Sequence, residues 1–200
     1  MRIAVLGAGN VGGGLGTALR AVGHDIVFGV RDPDSEKCRA ALASAPGSRA
    51  ASPEEAVDGA DVVVFALRWD GVPDVVSVLP PLDGRVVVDS MNRFGGDPAR
   101  STSDDLVEML PGARIVKAFN TIGYENLATA RSRRTKAAMF VAGDDSEAKG
   151  VALSLAAELG FEPEDAGPLA NAKPLEEMVK VWLALSRTHG RTVGFALSEG

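Results

Sequence analysis

Arg2-Ile3-Ala4-Val5-Leu6-Gly7-Ala8-Gly9-Asn10-Val11-Gly12 decides how the rest of the chain is read. A run of strand length opens it, and the glycines that follow have the spacing G-x-G-x-x-G. Beyond them Val11, Leu15, Leu19 and Val22 fall on one face of a helix that Gly23 would end. Strand, tight turn and helix in that order form the dinucleotide fingerprint. The first glycine permits the turn, the second lets backbone approach a pyrophosphate, and the third lets helix and strand pack closely. The helix start then offers free N–H groups and a positive dipole end to phosphate. Gly7, Ala8, Gly9, Asn10, Val11 and Gly12 are therefore expected to bind the cofactor. The uncharged run Ile3–Leu19 holds six glycines and covers 17 residues, short of the roughly 20 that span a bilayer.

Further apolar runs of strand length are Asp25–Val30, Asp61–Leu67, Arg85–Asp89, Ala113–Phe119 and Ala137–Ala142. Their apolar residues are continuous rather than alternating, as in Val62-Val63-Val64-Phe65, which suits strands covered on both faces. Between them, Ser52-Pro53-Glu54-Glu55 reads as a capping box with proline at the first helical position. Asp145–Leu159 reads as an amphipathic helix closed by Gly160. Alternating strands and helices predict an α/β, Rossmann-type, doubly wound and mostly parallel sheet. One domain over residues 1–200 is expected, with a core over 1–165 and a helical segment over 166–200 that closes the second-substrate site. In that segment Leu175, Met178, Val179, Trp182, Leu183 and Ser186 recur at helical spacing. Trp182 and the Leu/Met stripe are expected as core, packed on the sheet or on a second subunit, and the helix is expected to contribute to a homodimer. Asp97–Ser103 and Arg131–Lys136 read as polar surface loops.

Composition narrows the function. The 200 residues are 46% hydrophobic and 24% charged, which excludes wholesale disorder. Lone Cys38 makes no internal disulfide, and two histidines disfavour a metal hydrolase, so no metal site is expected. A net charge of −6 leaves no basic footprint for nucleic acid or an anionic membrane. Reading the fold as starting at residue 2 leaves no room for a targeting segment, and a cytoplasmic location is expected.

Cofactor choice is expected at the end of the second strand. NAD enzymes place an acid there, whereas Phe28-Gly29-Val30-Arg31-Asp32 puts Val30 at that position and Arg31 after it. A guanidinium suits a 2′-phosphate, so NADP is favoured over NAD. Lys37, about one helical turn on, adds charge or is simply solvated.

The fingerprint together with Val27-Phe28-Gly29-Val30-Arg31, Ile115-Val116-Lys117-Ala118-Phe119-Asn120-Thr121-Ile122, Ala142-Gly143-Asp144-Asp145 and Asp165-Ala166-Gly167-Pro168-Leu169-Ala170-Asn171 resembles the coenzyme F420-dependent NADP oxidoreductase family. It is also similar to the cytosolic reductase domain of six-transmembrane metalloreductases. The resemblance implies NADPH along the carboxyl ends of the strands, with the nicotinamide near Ala66, Leu67, Arg68 and Asn92. Asn120, Thr121, Ile122 and Gly123 would line the face where a deazaflavin or flavin (F420, FMN or FAD) stacks. Gly167, Pro168 and Leu169, with His189–Phe195, would close the other side. The deazaflavin enzymes carry histidine where this chain has Asn120, and the metalloreductase domains carry asparagine. Both tend to have proline in place of Arg68.

Hydride transfer between such rings needs neither nucleophile nor metal, only stacked geometry and exclusion of water. Asn120 and Thr121 either bond a carboxamide or ring carbonyl or cap the strand end. Lys117 is either a proton donor or a lysine ion-paired or solvated beside its strand. Three functions follow as alternatives: hydride exchange between NADPH and a deazaflavin or flavin, reduction of a small carbonyl or imine by NADPH, or a non-catalytic NADP-sensing module.

Overall fold

The computed structural model describes residues 1–198. In chain order the elements are β1 (Arg2–Leu6), α1 (Asn10–Ala21), β2 (Asp25–Gly29), α2 (Glu36–Ser44), β3 (Arg49–Ala51), α3 (Pro53–Val57), β4 (Val62–Phe65) and α4 (Val72–Val76). They continue with β5 (Val86–Asp89), α5 (Thr102–Met109), β6 (Arg114–Lys117), β7 (Ala138–Gly143), α6 (Ser146–Glu158), β8 (Glu162–Asp165) and α7 (Ala172–His189). One sheet runs β3-β2-β1-β4-β5-β6-β7-β8. Every neighbouring pair is parallel except β6 and β7, which are antiparallel over two residue pairs.

Covered faces explain the continuous apolar strands. Along β1, Ile3 and Val5 pack with Leu15, Leu19 and Leu155 on one side. Ala4 and Leu6 pack with Val57, Val75 and Leu106 on the other. Helix starts follow local chemistry. Ser52 with Glu55 and Ser101 with Asp104 form capping boxes, while Asp145 accepts from Ala148 N–H at the start of α6.

Two edge strands lie outside the expected set, and two expectations need correction. β3 and β8 carry no apolar run: β8 is Glu-Pro-Glu-Asp, and proline and charge belong on an edge strand. The strand expected to reach Phe119 stops at Lys117, because Phe119 takes φ +63° and turns the chain. The segment expected as a surface loop up to Ser103 is buried at Ser101, Thr102 and Ser103, where α5 begins.

After α7 the chain folds back as a strap. Its carbonyls are caught one after another: Arg191 O by Asn126 Nδ2 (3.1 Å), Thr192 O by Arg133 Nη1 (2.7 Å), and Val193 O by the Trp182 indole N–H (2.8 Å). Phe195 O accepts from Ala138 N–H of β7 at 2.8 Å. Among the described residues no helix is long and apolar enough to cross a membrane.

Candidate cofactor and substrate cleft

Strand order reverses at β1, whose neighbours β2 and β4 diverge into opposite halves of the sheet. Ligands of open α/β sheets bind at such a switch point, outside the carboxyl ends of the strands. A cleft of about 1300 Å³ lies there. Its near wall is the glycine turn, where Gly7 has φ +101° and donates to Gly29 O at 2.9 Å. Gly7, Gly9, Asn10 and Val11 line the cleft. Ala8 and Gly12 instead turn into the packing: Ala8 is buried, and a Cβ at Gly12 would fall 2.0 Å from Gly7 O. A Cβ at Gly9 would meet nothing within 4 Å. No side chain caps the start of α1 and no acid lies in its first turn, so no side chain of this turn competes for its leading N–H groups. This backbone cradle fits a diphosphate.

Arg31 and Lys37 line the same cleft. The Arg31 side chain is 75% exposed and only loosely paired with Asp74, at 3.9 Å. An adjoining recess of about 230 Å³ lies between Val30, Arg31, Ser35, Pro53 and Leu67. Asp32 also lines this recess, with one carboxylate oxygen accepting from Asp34 N–H at 3.0 Å.

The far wall follows β4 and β5. Ala66, Leu67, Arg68 and Asn92 line it as expected, together with Trp69, Met91, Arg93 and Phe94. Arg68 pairs with Asp70 at 3.0 Å, and that hydrogen bond holds the Asp70 carboxyl below its usual range. The Arg93 guanidinium lies over the Trp69 ring, 4.6 Å from its centroid, and is also paired with Asp105. Phe94 is 70% exposed. Sequence reasoning missed Met91, Arg93 and Phe94. The available signal was their place directly after a buried strand, followed by Gly95 and Gly96, both at positive φ.

Other expected site residues lie elsewhere. Asn120, Thr121 and Ile122 are buried and do not line the cleft. Asn120 Nδ2 donates to Asn92 Oδ1 (2.9 Å) and Leu175 O (3.1 Å), while Asn92 Nδ2 donates back to Asn120 O (3.0 Å). Asn120 thus props a cleft residue from behind. Gly167 and Pro168 follow β8, where Gly167 O accepts from Gly143 N–H at 3.1 Å, outside the cleft lining. Lys117 is fully buried, ion-paired with Asp89 (3.1 Å) and Glu176 (2.6 Å), and points no proton at the cleft.

Fold and cleft together define a Rossmann-type dinucleotide-binding protein. Comparison with known proteins sharpens this. Residues 2–93 match the family described as NADP oxidoreductase, coenzyme F420-dependent. Metalloreductase STEAP3 of Rattus norvegicus is 29% identical over 178 residues, covering 88% of this chain and 36% of that protein. Metalloreductase STEAP2 of Mus musculus is 23% identical, covering 88% and 35%. The chain thus spans about a third of the length of these relatives. Among solved structures, a presumptive F420-dependent NADP reductase of Arthrobacter sp. FB24 superposes with a TM-score of 0.89 at 25% identity over all of both chains. A reductive aminase of Aspergillus terreus shares the fold alone, with a TM-score of 0.68 at 18% identity over 93% of this chain and 60% of that one. The proteins this chain is similar to are thus NADP oxidoreductases over residues 2–93, and over the whole chain a presumptive NADP reductase.

Proposed function

We propose that the protein passes hydride between NADP(H) and a planar deazaflavin or flavin coenzyme in this cleft. The size and build of the cleft carry the reading. At about 1300 Å³ it exceeds an ordinary small-molecule pocket, typically about 300–1,000 Å³. The glycine cradle and Arg31 form one end, and the aromatic surfaces of Trp69 and Phe94 form the other. Bound NADPH supplies the hydride. Gly7–Val11 would hold its diphosphate, and Arg31 with Lys37 its 2′-phosphate, which would take the place of the loose 3.9 Å pairing of Arg31 with Asp74. Met91, Asn92 and Leu67 would seat the nicotinamide, and Trp69 and Phe94 would exclude water beside the acceptor ring. With Lys117 buried, an acceptor that needs no side-chain proton donor is favoured over a carbonyl or imine. The likeness to the Arthrobacter protein over the whole chain points the same way.

The same reading includes a cytoplasmic homodimer. Met178, Val181 and Leu185 form an outward stripe on α7, with Val181 54% exposed. Trp182 is buried within the chain, the core position expected for it. Anaerobic mixing of protein, NADPH and oxidised F420, with FMN and FAD in parallel, tests the acceptor. NADPH loss matched by bleaching of one of these coenzymes is expected. NADPH binding without reduction of any of them would overturn the proposal.

A further inference from the structure

The C-terminal helix sends one carboxylate under the floor of the cleft. Glu176, on α7, is 3% exposed and lies 83 residues from Arg93 in sequence, yet its Oε2 accepts from Arg93 N–H at 3.1 Å. Its Oε1 accepts from Thr102 N–H (2.8 Å) and from Lys117 Nζ (2.6 Å). Lys117 Nζ also reaches Met91 O (2.8 Å), Thr102 Oγ1 (2.8 Å) and Asp89 Oδ2 (3.1 Å). One cation thus faces two buried carboxylates. The excess negative charge sits at the first turn of α5, where Thr102 N–H and Ser103 Oγ donate and the helix dipole is positive.

This cluster grips the cleft wall at two backbone points, Met91 O and Arg93 N–H, on either side of Asn92. We propose that Glu176 is a positioning residue for hydride transfer, with Lys117 as its counter-ion: together they set the backbone of Met91–Phe94, against which the reacting rings lie. The inference rests on the reading of the cleft as the hydride-transfer site. A carboxylate is required because it accepts on both oxygens. An amide would present N–H either to Arg93 N–H or to Thr102 N–H and lose that bond.

The test compares Glu176→Gln with wild type. Because breaking one side of a buried pair endangers folding, the double variant Lys117→Met/Glu176→Ala is run beside it. Asp89 keeps Met91 N–H, Thr102 Oγ1 and Ser103 Oγ as donors there. Amide exchange over residues 91–94 is expected to quicken in whichever variant folds. With a working acceptor, kcat should fall by about ten- to a hundredfold, the scale of a small misplacement at the reacting centre. The KM for NADPH, set largely at the distant glycine turn, should change by less than about threefold. A folded variant with wild-type exchange over 91–94, or with KM raised and kcat kept, overturns the proposal. If wild type itself reduces no coenzyme, the proposed function fails and the exchange comparison alone decides this inference.

Discussion

A methyl group added at Gly12 would lie 2.0 Å from the Gly7 carbonyl oxygen, while one at Gly9 would enter open cleft. Gly12→Ala is therefore expected to lower stability by at least roughly 1–3 kcal/mol, the usual range for overpacking, read from urea unfolding. Gly9→Ala should leave the melting temperature unchanged and weaken NADPH about tenfold, or about 1.4 kcal/mol, by fluorescence titration. Arg31→Glu should cost NADPH about 2–3 kcal/mol while NADH changes little, as expected when a charged contact to a 2′-phosphate is lost. Equal weakening of both cofactors would sink the assignment of Arg31. These residues were legible in the sequence because backbone geometry and phosphate chemistry dictate their types. Lys117 was legible only as a pair of alternatives. Its partners Asp89 and Glu176 lie 28 and 59 residues away, a distance that no periodicity connects.

Among the elements, α5 shows how a helix start can serve a site it does not touch. Ser101 caps it, and Thr102 and Ser103 face the Asp89 carboxylate at 2.6 and 2.7 Å. Ser101→Ala should lower stability by about 1 kcal/mol, at most about 2, by denaturant midpoint. Local polarity made this segment read as a loop, since burial of Ser-Thr-Ser depends on an acid at the end of β5. The apolar strands were readable because both faces are covered. β3 and β8 were not, because edge strands need little apolar character. The far wall of the cleft was missed for a related reason: Met91–Gly96 has no periodicity, and what places it is the carboxyl edge of the sheet together with the grip of a helix near the other end of the chain.

For the molecule as a whole, acid tests the join between the last strand and the C-terminal segment. Asp165 accepts from Gly167 N–H and, next in weight, pairs with Lys149, and both hold its carboxyl below the usual range. Lowered on folding, that pKa makes the ionised form stabilising above the unfolded value of about 3.9, and the gain fades as pH falls through the folded value. Urea midpoints of wild type and Asp165→Asn should thus differ at neutral pH and converge in acid. A gap that persists into acid would show that charge is not the cause.

The strap that ends the described chain bears on association between molecules. Its carbonyls are held in turn, while Thr192 and Leu197 leave their side chains largely exposed. Arg191 adds a side-chain hold, paired with Glu125 and lying over the Trp182 ring at 5.0 Å, and Gly194 leaves no room for a Cβ against Ala137, so the seat depends on these two residues as well. β7 meets β6 over only two residue pairs, and Phe195 O covers an N–H that β6 leaves free. Cut away, the strap would bare a strand margin ready to zip onto a neighbouring molecule. The strap thereby does for the open margin of β7 what β6, with two residue pairs, does not.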